Sequence, residues 1–314
     1  MDHRLLLMGD AAATATEPPS LSGFLKIEHI AGKSVATRVF AKYPLKFLIP
    51  LKAASSTSDV IWIYAITYGG GYVSGDSISC QVDVGLGCTT VLTTQASTKV
   101  YKSVEGKFSE QLLKVKIGSE ALFALLPDPV TCFSSAKYKQ LQTFSLDKQA
   151  NLVLVDWLTS GRRDCGEVWA FESYRSTNQI LLDGETPILL DTMQLDQGAV
   201  QDVNTRLKGC HVIAMLVIYG PQLSDVSKQV QRKVKLLAGD TLKIGIRRRR
   251  DGTRGPSNLE SPCKFFASCS TFGPSDCGIL VRLAATKTEQ VYEFLREALT
   301  ALVPLVGTLP YIGK

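Results

Sequence analysis

The residues best placed to do chemistry lie between Ile66 and Ser103, in ITYGGGYVSGDSISCQVDVGLGCTTVLTTQASTKVYKS. Gly70 and Gly75 have the GxxxxG spacing of a loop whose backbone N–H groups, with a following lysine, cradle phosphates. Asp76 stands where that lysine belongs, and a carboxylate there repels phosphate oxygens. Ser77–Val84 reads as a strand, so no helix N-terminus follows to complete an anion site. The glycines are instead expected to let strands turn sharply or approach closely, with Asp76 tying down the turn.

Nucleophilic hydrolysis has few parts to draw on. There is no GxSxG, and the only histidines are His3, His29 and His211. His29 falls in a short alternating strand and His211 opens an apolar run beside Cys210, so both read as core or edge histidines. No HExxH, CxxC or histidine tract offers a tight metal site. Acids and hydroxyls are better represented, in Asp76, Thr93–Thr98, Asp128, Asp156 and Glu167. Such oxygen ligands hold a divalent ion weakly and reversibly, which suits passage more than retention. The second polar concentration is DWLTSGRRDCGEVWAFE, residues 156–172, where Arg162 has Asp156 and Glu167 as alternative partners. A carboxylate pair such as Asp76 and Asp156, with a labile metal, is the device left to a metal-dependent hydrolase lacking histidine.

The elements that must position these groups are mostly strands. Runs rich in Val, Ile, Thr, Phe and Tyr recur about every ten residues. They cover 24–30, 34–41, 60–67, 77–84, 89–95, 110–117, 121–126, 141–146, 151–158, 167–174, 212–219 and 279–284. LLKVKI (112–117) alternates apolar and basic residues, so one face is buried; NLVLVDWL (151–158) is almost wholly apolar until Asp156, so both faces are covered. Two helices are expected. In 222–238, Val226, Val230, Val234 and Leu237 share a face, with Pro221 in the first turn and Gly239 as the stop. In 288–303, Val291, Phe294, Leu295, Ala298 and Leu302 form the stripe, Thr286 and Glu289 make a capping box, and Pro304 ends the helix.

At 314 residues with 45% apolar and 20% charged content, the chain is globular, and no fixed-period repeat is visible. The reading is one mostly β domain over 24–314 with two packed helices, preceded by an Ala/Thr/Pro-rich disordered leader over 1–23. The leader lacks an apolar signal core and the longest apolar run, Val212–Tyr219, is far too short to span a bilayer, so a cytoplasmic protein without membrane contact is expected. Eight scattered cysteines in mainly apolar contexts read as reduced core thiols. The net charge is +6, and five arginines against two acids between Arg247 and Glu260 account for half of it. That makes 247–262 an exposed Arg-rich loop and leaves no general nucleic-acid surface.

The order of the blocks GGGYVSGD (69–76), LTTQASTKVYKS (92–103), LPDPVTCF (126–133), DWLTSGR (156–162) and GEVW (166–169) resembles the urease accessory protein D family, called UreD or UreH. The likeness runs from about residue 24 to residue 305. The wording of KYPLKFLIP, IYAITYGGGYVSGDSISC and FASCSTFGP is most similar to plant members. The resemblance implies a non-catalytic protein with a β-helix-like fold. It implies binding to UreF, through it to the GTPase UreG, and to apo-urease, with nickel delivered through an internal tunnel. The protein would have no cofactor of its own, only nickel in transit. By family position, Asp76, Thr94, Gln95, Lys99, Tyr101, Asp156, Arg162 and Glu167 are the nickel-path or interface candidates. A protein that only holds urease in a receptive shape is the other non-enzymatic reading.

Overall fold

The computed structural model of the chain describes residues 21–50, 59–198, 202–250 and 265–314. The first strands, β1 (Gly23–Ile30), β2 (Lys33–Ala41) and β3 (Leu45–Leu48), lead into stacked coils. The coils are β4 (Ile61–Thr67), β5 (Gly71–Tyr72) and β6 (Ser77–Val84); then β7 (Thr89–Thr94), β8 (Thr98–Val100) and β9 (Ser109–Ile117); then β10 (Leu122–Leu125), β11 (Val130–Cys132) and β12 (Lys137–Leu146). A last coil passes from β13 (Asn151–Thr159) through a 3-10 turn at Arg163–Cys165 to β14 (Ser173–Leu182). Like strands of successive coils pair in parallel: β4, β7, β10 and β13 on one face, β5, β8 and β11 at a corner, and β6, β9, β12 and β14 on the other face. This is the β-helix-like fold expected. The coils start at Ile61, Thr89, Leu122 and Asn151, intervals unequal enough to hide the structural repeat from a period search.

Antiparallel strands finish both sheets. Beyond β14, β15 (Thr186–Asp196) folds back across a tight turn at Asp183 and Gly184, both in the left-handed region. Beyond β13 lie β16 (Val212–Tyr219), β18 (Gly278–Ala285) and the edge strand β17 (Phe265–Phe272). The helices are α1 (Val203–Leu207), α2 (Ser224–Arg250), α3 (Thr288–Ala298) and α4 (Val303–Val306).

Two cores result. One fills the interior between the sheets, with Leu25, Val82, Val115, Phe123, Phe144 and Leu154 all buried. The other lies between the outer face of the β13 sheet and helices α2 and α3, around Val155, Trp157, Val230, Phe294 and Leu295. Strand β13 is sandwiched between them, so every residue from Asn151 to Leu158 is buried, which is why the segment is so apolar. Each fully buried Leu or Phe contributes roughly 1.5–3 kcal/mol by leaving water. On β9 the alternation is as expected: Leu113, Val115 and Ile117 are buried, Lys114 and Lys116 exposed.

Several boundaries differ from expectation. The strand placed at 167–174 is instead the 3-10 turn's exit and a loop, and β14 begins at Ser173. Its apolar residues Trp169 and Phe171 are buried from a loop, their rings packed edge-on, so apolarity there reports burial rather than strand. Helix α2 does not stop at Gly239 but continues to Arg250, so Arg247–Arg250 are helical; the rest of the expected Arg-rich loop lies outside the described residues. Gly costs about 1 kcal/mol inside a helix and does not by itself end one. Helix α3 ends at Ala298, and Pro304 sits in the first turn of α4 instead of terminating a longer helix. The N-terminal cap of α3 uses Gln290, whose Oε1 accepts from the backbone of Thr286 and Lys287, not Glu289. Cys80, Cys88, Cys132, Cys165, Cys269 and Cys277 are free thiols, whereas Cys210 is disulfide-bonded, against the all-reduced reading. Which cysteines pair cannot be read from their spacing alone. The expected leader lies outside the described residues except for Leu21, Ser22 and Gly23.

Candidate functional site

The glycine run resolves into a close crossing. Gly69 and Gly70 have positive φ in a 3-10 turn, and a Cβ on Gly71 would lie 2.0 Å from the Lys99 carbonyl oxygen, so β5 approaches β8 only because that residue is glycine. Asp76 closes the next turn: its carboxylate accepts from Val73 N at 2.9 Å, and its own N–H donates to Val73 O at 3.0 Å. Asp76 is thus a turn cap at the surface end of β6.

The polar block that follows is divided by strand alternation. Thr93 and Thr94 face a cavity of about 100 Å³ between the two sheets, large enough for several waters. Thr93 Oγ1 donates to Leu126 O at 2.7 Å, and Thr94 Oγ1 accepts from Asp128 N at 2.8 Å. Gln95 is exposed in the loop before β8. On β8, Thr98 faces the cavity while Lys99 faces an external cleft on the other side of the same strand. Tyr101 joins that cleft, its ring edge-on to Phe133 at 5.1 Å and its hydroxyl donating to Gly69 O at 2.9 Å. Of the Thr/Gln/Lys/Tyr block, the threonines alone line the interior cavity.

Asp156 is the acid inside. It lies in the middle of β13, 4% exposed, and lines the cavity. Gln140 Nε2 donates to its Oδ1 at 3.1 Å; Ser176 Oγ and Asn178 Nδ2 donate to Oδ2 at 2.6 and 2.8 Å. No cation pairs with it among the described residues. Burial pushes its pKa above the ordinary value of 3.8, the hydrogen bonds from Ser176, Asn178 and Gln140 pull it back, and the nearby Asp191 charge adds to the rise. Behind Gln140 the chain of hydrogen bonds continues. Tyr138 donates to Gln140 Oε1 at 3.2 Å and to Gln111 Oε1 at 2.8 Å, and Tyr72 donates to Gln111 Oε1 at 2.9 Å. Gln142 Oε1, Asn178 Oδ1 and the Tyr174 hydroxyl are buried without a protein partner. A buried polar oxygen left unpaired is costly, and Gln142, which lines the cavity, can meet water there. Thiol chemistry is not on offer at the wall, because burial pushes Cys80 up to about 12.

Arg162 and Glu167 belong to the outside. Arg162 makes a two-pronged pair with Glu167, Nε to Oε2 at 3.0 Å and Nη2 to Oε1, while its guanidinium stacks 4.0 Å from the Phe133 ring. The pair holds Glu167 below its ordinary 4.5, chiefly through that hydrogen bond. Of the alternatives open to Arg162, the structure selects Glu167, across the 3-10 turn that Gly161 and Gly166 permit. The eight residues singled out from sequence thus divide. Thr94 and Asp156 share the cavity; Lys99, Tyr101 and Arg162 share the cleft, with Glu167 clamped to Arg162; Asp76 and Gln95 line neither.

Sequence reasoning missed most of the cavity's polar wall. Gln111, Gln140 and Gln142 line the cavity from one sheet, and Ser176 and Asn178 of the same sheet are buried against Asp156 behind it, with Gln111 beside Gln140 and Gln140 beside Ser176 in register. Asp191, 9% exposed and paired with Arg282 across the open end of the sheets, continues the Gln142–Asn178 row. The signal was present in KYKQLQTFSL and SYRSTNQILL, where polar residues take inward positions between Tyr138 and Phe144 and between Tyr174 and Ile180. Starting the first strand at 141 and ending the second at 174 concealed it.

The sequence model of the UreD urease accessory protein family matches residues 22–312. The chain is 50% identical over 291 residues to urease accessory protein D of Arabidopsis thaliana, covering 92% of this chain and 99% of that protein. It is 47% identical to the rice (Oryza sativa subsp. japonica) urease accessory protein D, over 94% and 95% of the two chains. Against urease accessory protein UreD of Anaeromyxobacter it is 33% identical, over 92% and 88%.

Proposed function

The chain belongs to the UreD family of urease accessory proteins, and from that premise we propose that it is a non-catalytic urease maturation factor that passes nickel to apo-urease. In this reading it works in a complex with UreF and the GTPase UreG, and nickel is its cargo, not a resident cofactor. The observation that carries the proposal is Asp156: a buried carboxylate on a cavity wall, held by three donors and by no cation. The other buried acids are each paired with a cation, Asp128 with Lys314 and Asp191 with Arg282. Left unpaired beside unpartnered amide oxygens, Asp156 supplies a negative potential that attracts a divalent ion. Among the described residues no three His, Cys, Asp or Glu side chains converge on one point. Carboxylate, amide and hydroxyl oxygens bind nickel less tightly than imidazole or thiolate, so the ion is attracted without being retained.

The outer cleft, with Lys99, Tyr101, Phe133, Arg162 and Arg163 on its walls, has the aromatic and arginine content of a protein-contact surface. A carboxylate-pair hydrolase gains no support from the placement of its acids, since Asp76 closes a turn away from the cavity that Asp156 lines. No helix among the described residues is long and apolar enough to cross a membrane.

The test is complementation. Expressed with UreF, UreG and urease in a strain lacking its own D protein, the chain restores urease activity, and Asp156→Asn fails to do so while still co-purifying with its partners. Restoration by the variant equal to wild type removes nickel passage from Asp156 and leaves the pure interaction module as the better reading.

A further inference from the structure

The sheet that carries Asp156 has a gap. Strand β7 ends at Thr94 and β8 begins at Thr98; β10 ends at Leu125 and β11 begins at Val130. The two interruptions lie side by side, because β10 pairs with β7 and β11 with β8. Asp128 sits in this gap between Pro127 and Pro129. It lines the interior cavity, yet its carboxylate is bonded from the opposite, helical layer.

Those bonds are unusual in where they come from. Tyr292 of α3 donates to Asp128 Oδ1 at 2.8 Å, and Lys314 Nζ reaches both carboxylate oxygens. The Asp128 side chain is 2% exposed, that of Lys314 31%. The other buried acid pair, Asp191 with Arg282, has its arginine fixed on strand β18, and the surface acid Glu167 is held by Arg162 at a turn. Here the counterion sits past the last helix, after Gly313 with φ +85, where no strand or helix fixes it. The aromatic ring set around the gap is firm by comparison. Trp157 Nε1 donates to Pro127 O at 2.9 Å, Tyr311 OH to the same oxygen at 3.3 Å, and the rings of Trp157 and Tyr292 meet edge-on at 4.8 Å.

We propose that Asp128 is a divalent-cation port through the sheet, and that the Lys314 ammonium is a tethered occupant that the incoming ion replaces. Withdrawal of the lysine leaves a buried carboxylate with only a phenol donor, which a hydrated divalent cation neutralises better than water does. The tethered amine competes at millimolar effective concentration, so the port is closed to traces of metal and opens when the Lys314 side chain is drawn aside. This rests on the reading of the cavity as a nickel path, which it supplies with an entrance or exit.

The experiment uses the purified full chain, alone and with its partners, and nickel(II) as the probe. Lys314→Met is expected to raise nickel uptake in equilibrium dialysis at least about tenfold over wild type, as removal of a tethered competitor should. Its lowered melting temperature is expected to recover on addition of nickel. Lys314→Arg keeps the charge and stays as wild type, and Asp128→Asn combined with Lys314→Met abolishes the gain. A folded Lys314→Met protein with wild-type nickel uptake overturns the port, as does a gain that survives Asp128→Asn. A melting temperature of Lys314→Met that nickel does not raise overturns it as well. Failure of the underlying reading looks different: Asp128-dependent uptake would persist while Asp156→Asn activated urease normally.

Discussion

Replacing Asp156 with asparagine should separate stability from function, and the sign is the informative part. The carboxylate is 4% exposed and receives three hydrogen bonds without a cation. Hydrogen bonds to a charged acceptor contribute about 1.5–3 kcal/mol each, but taking an unpaired ion out of water costs several kcal/mol. The raised pKa shows that burial is the larger influence. For an acid whose folded pKa is raised, stability is greatest below the ordinary value near 3.8 and declines as pH rises from there through the folded pKa. Above that pH the protein carries the full cost of the buried charge. Asparagine has the same shape and no charge, and the Ser176 hydroxyl and Gln140 amide can each turn to accept from its Nδ2. Asp156→Asn should therefore be more stable than wild type at pH 8 by about 1 kcal/mol, a rise of roughly 1.5 °C, with the difference vanishing toward pH 4. Asp156→Ala should go the other way. It leaves the donors of Gln140, Ser176 and Asn178 without an acceptor, at about 1–3 kcal/mol for each one that water fails to satisfy. Thermal melting of the three proteins between pH 4 and pH 8.5, with urease activation measured in parallel, reads both effects. An asparagine variant that melts below wild type at pH 8, or an alanine variant that matches it, would refute the argument that the charge is held at a cost for function.

The surface clamp predicts the opposite pH dependence. Glu167 is held low by Arg162, so its contribution is present above the ordinary 4.5 and is lost as pH falls from there through the folded pKa; Glu167→Gln should lower the melting temperature by about a degree at pH 7 and by progressively less as the pH is taken below 4.5, as melting curves across that range would show. Because Arg162 is 44% exposed, the clamp is worth at most about 1 kcal/mol. Two glycines with different needs give a second contrast. Gly71→Ala puts a methyl 2.0 Å from the Lys99 carbonyl and should give insoluble protein or a loss above about 3 kcal/mol, whereas Gly69→Ala, with φ +76 and open space, should cost about 1 kcal/mol in denaturant unfolding.

How far the sequence foretold these features depends on how local each cause is. β6 and β16 begin and end where the apolar runs do, and the buried stripes Val226–Val230–Val234 and Val291–Phe294–Leu295–Ala298 are as expected, because periodicity alone determines which face is covered. The corner strands β5, β8 and β11 were not visible: they are two or three residues long and exist only because a coil above or below supplies their partner. The same dependence hid the cavity. Asp156 was legible as the single charged residue in an apolar strand, but its partners Gln140, Ser176 and Asn178 stand out only once parallel register stacks them. Lys99 and Tyr101 went to the outer cleft because a one-residue step along a strand changes face, which a list of nearby polar residues does not record. Asp128 was noted as an acid between prolines, and its counterion at Lys314, far along the chain, had no local sign.

The central claim is that nickel reaches urease by way of the interior cavity. Ala65 lines that cavity and makes no side-chain hydrogen bond, so Ala65→Leu fills much of a space of about 100 Å³ without removing a polar group. With the purified complex of this chain, UreF, UreG and apo-urease, radiolabelled nickel transferred to urease is counted for wild type and for the filled variant. Equal complex assembly with nickel incorporation reduced about tenfold or more is the predicted result. Wild-type incorporation through a filled cavity would contradict it.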